Sequence, residues 1–404
     1  MPDLTQPRIF MNIQGKTAKL VTAALLASIS IATAQEPVVS KGGTKIELYG
    51  QVQLNTVWED RVVSTDAPNW SYYAPVGNTE GGSRTIMNVN HSRIGLNLMA
   101  PQNEGESEVS GKFEVDFNND NARHNNGVGN LRIRHSYGQV KFGSIGTTLL
   151  MGQTYDVISP RDPAVLSEGT GNYSGNLGTR RPQIRLTQPF GPIEIAVAAL
   201  DDRGADAPKV PAVQGRVGVK VPAGWAGEDE NFELGLSGHF AKEKNTDIVK
   251  DQPYEKVPRS WSINADLNLP IISIVNLSGE FFYGQNLKHY GNGSLGLTAE
   301  NSTGKDYAIK TLGGWTNVGV KLPANLSFNG GWGVEAVQDP EKVKIGSRSH
   351  NMALYSNVRY HFIPNAYLGI EYFRIDTEST TDDKNAAEKG GINRVELAFQ
   401  YAFK

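Results

Sequence analysis

Two short runs of this sequence place arginines where a two-residue period would put them on one side of a strand. Arg132 and Arg134 alternate with Leu131 and Ile133, and Arg181, Gln183 and Arg185 alternate with Ile184 and Leu186. Between the runs stand Asp156, Arg161, Asp162 and Glu168, charged residues set among small ones. Guanidinium groups on one wall facing carboxylates on a loop would create a transverse field, which sorts solutes by charge and dipole without a covalent step. Covalent chemistry finds no comparable support. The chain has no cysteine, which removes thiolate nucleophiles, Cys-ligated zinc and iron–sulfur clusters. Its 7 histidines are scattered, with no H-x-x-x-H pair on a helix, so no metal site is expected. No G-x-S-x-G elbow is present. Gly291-Asn-Gly293-Ser-Leu-Gly296 has the letters of a dinucleotide fingerprint, but it lies in a Gly/Asn/Ser loop between strand-like segments rather than between a strand and a helix. Asn118-Asn-Asp-Asn121 lacks the spaced acids and closing Glu of a calcium loop. Neither an enzyme nor a cofactor is expected.

The elements that must position these charges are strands. Val109, Gly111, Phe113, Val115 and Phe117 share one face, and Lys112, Glu114 and Asp116 the other. Trp261, Ile263, Ala265, Leu267 and Leu269 oppose Ser262, Asn264, Asp266 and Asn268. The same alternation covers Leu326 to Ala336 and Val395 to Phe403. About sixteen such segments are expected: 44–58, 84–99, 108–117, 130–143, 147–153, 179–188, 192–200, 211–221, 230–242, 258–269, 274–283, 305–321, 325–337, 348–362, 366–375 and 391–403. Short, Pro-containing turns such as Leu269-Pro270 and Leu322-Pro-Ala324 alternate with long polar loops at 59–83, 118–129, 154–178, 243–257, 284–304, 338–347 and 376–390. Tight turns at one end and long loops at the other are the signature of a transmembrane antiparallel up-and-down β-barrel, and sixteen strands leave a water-filled lumen. Arginines at the lipid face would each cost about 2–4 kcal/mol near the midplane, so those above should point inward.

The 404 residues carry 39 Lys+Arg and 42 Asp+Glu, a balance that excludes strong non-specific nucleic-acid binding. Mean hydropathy is −0.38. Lys16 and Lys19 precede the short apolar run Leu20–Ile31 and the small-residue end Ala32-Thr-Ala34, which together read as a cleaved signal peptide over 1–34. Residues 35–43 are then a short periplasmic segment and 44–404 the pore domain. An exported chain without cysteine suits a bacterial periplasm or outer membrane.

Leu48-Tyr-Gly50, Ser92-Arg-Ile-Gly-Leu96, Leu150-Met-Gly-Gln-Thr154 and Arg181-Pro-Gln-Ile-Arg185 resemble Gram-negative outer-membrane porins, and most of all the DcaP-like trimeric sixteen-stranded branch. The resemblance spans most of the mature chain, and the 150–188 block is its most specific part. It implies a third loop folded into the barrel and a constriction lined by Arg93, Arg132, Arg134, Arg181, Arg185, Asp156, Arg161, Asp162 and Glu168. It further implies a homotrimer in an outer membrane containing lipopolysaccharide, folded by the barrel-assembly machinery, with passive uptake of small hydrophilic and often anionic organic solutes. Two departures stand out: the chain ends Phe403-Lys404 rather than on the aromatic, and 35–43 is too short for the branch's periplasmic helix. The competing readings are a non-transporting adhesin or scaffold in the outer membrane and a secreted β-rich carbohydrate-active enzyme.

Overall fold

Alternation of apolar and polar residues carries most of the described residues into strands. The computed structural model describes residues 38–41, 43–61, 72–77, 82–101, 107–118, 131–167, 174–201, 210–242, 259–287, 289–291, 309–382 and 387–404. The leader and Glu168 lie outside them. The first half holds β1 (Val38–Lys41), β2 (Thr44–Glu59), β3 (Arg84–Asn88), β4 (Arg93–Met99), β5 (Glu108–Asp116), β6 (Arg132–Lys141), β7 (Thr148–Tyr155), β8 (Arg180–Phe190) and β9 (Ile193–Leu200). The second half holds β10 (Ala212–Pro222), β11 (Asn231–Lys242), β12 (Arg259–Ile272), β13 (Val275–Gln285), β14 (Lys310–Leu322), β15 (Leu326–Val337), β16 (Arg348–Ile363), β17 (Ala366–Thr380) and β18 (Ala387–Phe403).

Every pairing is antiparallel, and β18 closes on β2 from Arg394↔Glu59 to Phe403↔Gly50. β3 and β4 both pair with β2 and are two halves of one strand interrupted at 89–92. β2, this divided strand and β5 to β18 make a closed barrel of sixteen strands. β1 folds back antiparallel on the start of β2, so part of the expected 35–43 segment is itself a strand. The last two strands run to Thr380 and back from Ala387, where a loop over 376–390 was expected. Ser, Thr and Glu occupy both faces there, which hides the period from a hydropathy reading while the hydrogen-bond ladder continues.

The barrel is apolar on the outside and polar on the inside. Leu131, Leu236 and Ile263 are 64%, 63% and 63% exposed, whereas Asn264, Asp266 and Glu335 are buried within. An apolar belt of this kind is stable only against lipid. A cation at its centre is therefore expected to be costly. Leu236→Lys should lower refolding yield into lipid by an amount equivalent to about 2–4 kcal/mol, while Gln139→Lys on the lumenal face should refold as the parent does. Equal yields, read from heat-modifiable gel mobility, would reverse the assignment of faces.

One irregularity matters for the lumen. Glu114 pairs with His135 and Val115 with Ile133, so Arg134 is an extra residue in β6. Such a bulge re-aims side chains. Here it leaves Arg134 and His135 both buried on the inner side while Ile133 and Ser136 remain exposed.

Candidate pore constriction

The described parts of the third long connection, 156–167 and 174–179, do not project from the barrel but lie across its interior. At its root Asp156 and Thr179 exchange backbone and side-chain hydrogen bonds of 2.8 and 3.2 Å. Arg181 Nε lies 3.2 Å from Asp156 Oδ1, and both side chains are fully buried. The Arg181 guanidinium stacks 4.3 Å over Tyr290 and donates to the His289 carbonyl, and Tyr290 stacks in turn on His239 at 3.7 Å. Burial raises Asp156 above the ordinary carboxylate range, against the downward pull of Arg181.

From this root the loop is pinned strand by strand. Val157 N–H donates to Gln214 on β10 at 3.0 Å, and Ser237 on β11 donates to the Ile158 carbonyl at 3.2 Å. Ser159 Oγ and Arg161 N–H donate to the two oxygens of Glu280 on β13, at 2.6 and 2.9 Å. The Arg161 guanidinium bridges Glu233 at 2.5 Å and Asp266 at 3.5 Å. The tip reaches the far wall. Asn357 and Arg359 on β16 donate to the Ala164 carbonyl at 2.7 and 3.2 Å, and Arg359 also to that of Val165 at 3.0 Å. Leu166 N–H donates to Glu371 on β17 at 3.0 Å, Ser167 Oγ to Glu396 on β18 at 2.8 Å, and Gln53 on β2 donates to the Leu166 carbonyl at 2.8 Å. On the return, Gly175 and Ser174 press on β14 and β15, where a Cβ at Gly175 or Gly333 would collide with backbone oxygens.

These bonds fasten the loop along the arc from β10 through β18 to β2. Across the lumen stands the wall of β4, β5 and β6, continued by β8. It carries Arg93, Lys112, Glu114, Asp116, Arg132, Arg134, Tyr137 and Arg185. Arg134 Nε is 2.5 Å from Glu114 and its Nη1 3.0 Å from Asp116, while Arg132 lies 2.6 Å from Asp116 and Arg93 3.7 Å from Glu114. Tyr49 donates to Glu114 at 2.8 Å, beneath Lys112 at 5.1 Å from its ring. Arg185 donates to Gln183 Oε1 at 2.9 Å and to the Tyr155 carbonyl. Among the described residues no carboxylate lies within ion-pair distance of it.

Comparison with known proteins accords with this geometry. Residues 12–191 match the DcaP outer membrane protein family. The structure superposes on the DcaP outer-membrane channel of Acinetobacter baumannii with a TM-score of 0.70, at 19% identity over 90% of this chain and 99% of that one. The barrel has the porin fold, and its N-terminal part carries the match to the DcaP family. The same fold is shared with an anion-selective porin from Comamonas acidovorans (TM-score 0.58, 12% identity, 89% and 100% coverage) and with Salmonella typhi OmpF in complex with daunomycin (0.59, 12%, 91% and 100%). No curated protein sequence matches the chain.

Within this porin-like barrel the residues singled out from sequence separate into two groups. Arg93, Arg132 and Arg185 are partly exposed and Arg134 is covered, all four on the lumenal face of the wall opposite the loop. Asp162 is exposed on the loop and accepts from Asn176 at 3.2 Å. Asp156 and Arg181, expected at the aperture, are instead sealed in protein at the loop root, and Arg161 is a strut to the wall. Alternation gave Arg181 the right face but could not show that Asp156, His289 and Tyr290 close over it. Glu114 and Asp116, which partly neutralise the arginines, were legible as the polar face of their strand but not as partners of β6. Asn357, Arg359, Glu371 and Glu396 carry no local signal, because the tip they hold is roughly two hundred residues away in sequence.

Proposed function

We propose that this porin is a passive diffusion channel for small hydrophilic solutes that favours small anionic organic molecules, and that three copies assemble with a separate pore in each. The observation that carries the preference is the charge of the wall opposite the loop. Arg93, Arg132, Arg134, Arg185 and Lys112 face two carboxylates, Glu114 and Asp116, so five cations against two anions leave three net positive charges there. Fixed charge in a narrow, low-dielectric passage acts more strongly than the same charge in bulk water. Removing the predicted leader takes away Arg8, Lys16, Lys19 and Asp3, leaving 36 basic and 41 acidic residues and a net charge of −5. Charge on distant loops is screened beyond about 8–10 Å at physiological salt, so the local wall sets the sign.

Arg132→Gln together with Arg185→Gln is expected to move the zero-current potential in a salt gradient toward cation preference, with the shift shrinking as salt rises. A parent pore already selective for cations, or a double variant with an unmoved potential, would remove these arginines from the passage. The trimer is checked separately, by mass in mild detergent before and after heating.

A further inference from the structure

Toward the short turns, below the docked loop tip, β12 to β15 line a cavity of about 400 Å3 whose boundary includes Ala164 of the loop and the turn at 273–274. Its lumenal side chains are Asn268, Asn276, Ser278, Asn317, Ser327 and Asn329. They stand in phase with the buried inner residues Asp266, Glu280, Trp315 and Glu335 of the same strands, and out of phase with the lipid-facing Phe281 and Trp332. The carboxamides form two short relays. Asn276 donates to Asn268 at 3.0 Å and Asn268 to the Asn231 carbonyl at 2.9 Å. Asn317 donates to Asn329 at 3.5 Å and Asn329 to Asn357 at 3.2 Å.

Each of these four amides has two N–H donors, and each relay uses one of them. The Asn276 Oδ1 acceptor is buried without a partner, although Asn317, in the same cavity, is only 4% exposed. Ionic groups are nearly absent from the lining: Lys321 and Glu230, at the edge, neutralise one another at 2.7 Å. The arginine wall attracts charge, whereas this cavity offers paired donors and acceptors with no net field. Adjacent hydroxyl groups present that same pairing, each giving one proton and accepting another.

We propose that the cavity is a subsite for a neutral polyhydroxylated solute of mono- or disaccharide size, separate from the anion path. The reading does not rest on the charge of the opposite wall. Sucrose, glucose and a polyethylene glycol of matched hydrodynamic size are added in turn to single pores in a planar bilayer. Saturable, voltage-independent interruption of the ion current by either sugar, absent with the polymer, is the expected result. Asn276→Leu with Asn329→Leu keeps the heavy-atom count and Cγ branching of the side chain while deleting two carboxamides. It should weaken the interruption by about tenfold, the scale of one or two lost hydrogen bonds, and leave the zero-current potential unchanged. Where the double variant fails to assemble by heat-modifiable mobility, Asn276→Leu alone serves, because it removes an acceptor that no protein donor uses. Equal interruption by polymer and sugars, or full interruption in an assembled variant, would mean that the cavity holds water only. An unmoved zero-current potential in the arginine variants with sugar interruption intact would sink the charge reading and leave this one standing.

Discussion

A pore with Asn357→Ala and Arg359→Ala together is expected to lose its steady unit current and flicker between conductance levels above that of the parent. The two side chains supply every donor named above to the Ala164 and Val165 carbonyls. Each of these partly buried acceptors loses its donors, at a cost of about 0.5–1.5 kcal/mol per hydrogen bond, or about 2–4 kcal/mol of tip docking for the three bonds. The barrel ladder does not depend on these side chains, so thermal unfolding should change far less than the current does. Single-channel recording decides the matter: a quiet trace at the parental level would show that the tip is held by packing on Leu166 rather than by this latch. Leu166 does pack in that region, against Tyr367 and Ala398, so the two explanations make distinct claims.

Arg181→Leu is expected to be the most destabilising single change near the loop. It strands the Asp156 carboxylate in a site with no exposure, and breaking a buried pair on one side typically costs about 3–5 kcal/mol. Adding Asp156→Asn removes the orphaned charge and should recover much of the loss, although Arg181→Leu still deletes the donor to the His289 carbonyl. The temperature at which the folded band disappears on unheated-to-heated gel series reads both steps. Additive losses in the double variant would mean that the two residues act independently.

How far the sequence reaches is clear from particular residues. Period two places Leu131, Ile133, Ile184 and Leu186 outward and Arg132, Arg134 and Arg185 inward, and the strand limits agree with the structure within a few residues over most of the barrel. That success is local physics, since each strand declares its own two faces. Height within the lumen is another matter. Arg181 and Arg185 share a face and differ by four residues, yet one is sealed under Tyr290 and the other stays partly exposed. What separates them is a loop from β13 to β14, distant in the chain and silent about its destination. The bulge at Arg134 is likewise set by pairing with β5 and leaves no trace in the pattern of β6 alone.

The docked tip also carries information about time. Its anchors Gln53 and Glu396 belong to the first long strand and the last, and Asn55 reaches across the same junction to Glu396 at 2.5 Å. These groups become neighbours only when β18 pairs with β2. The loop, synthesised early, thus has no complete landing place until the final strand has arrived. Narrowing of the passage is therefore among the last events of folding, and a barrel whose ends had not met would be leaky as well as open. A spectroscopic label at Ser167 would report that sequence of events: its environment should change with closure of the ring, not with the earlier growth of the sheet.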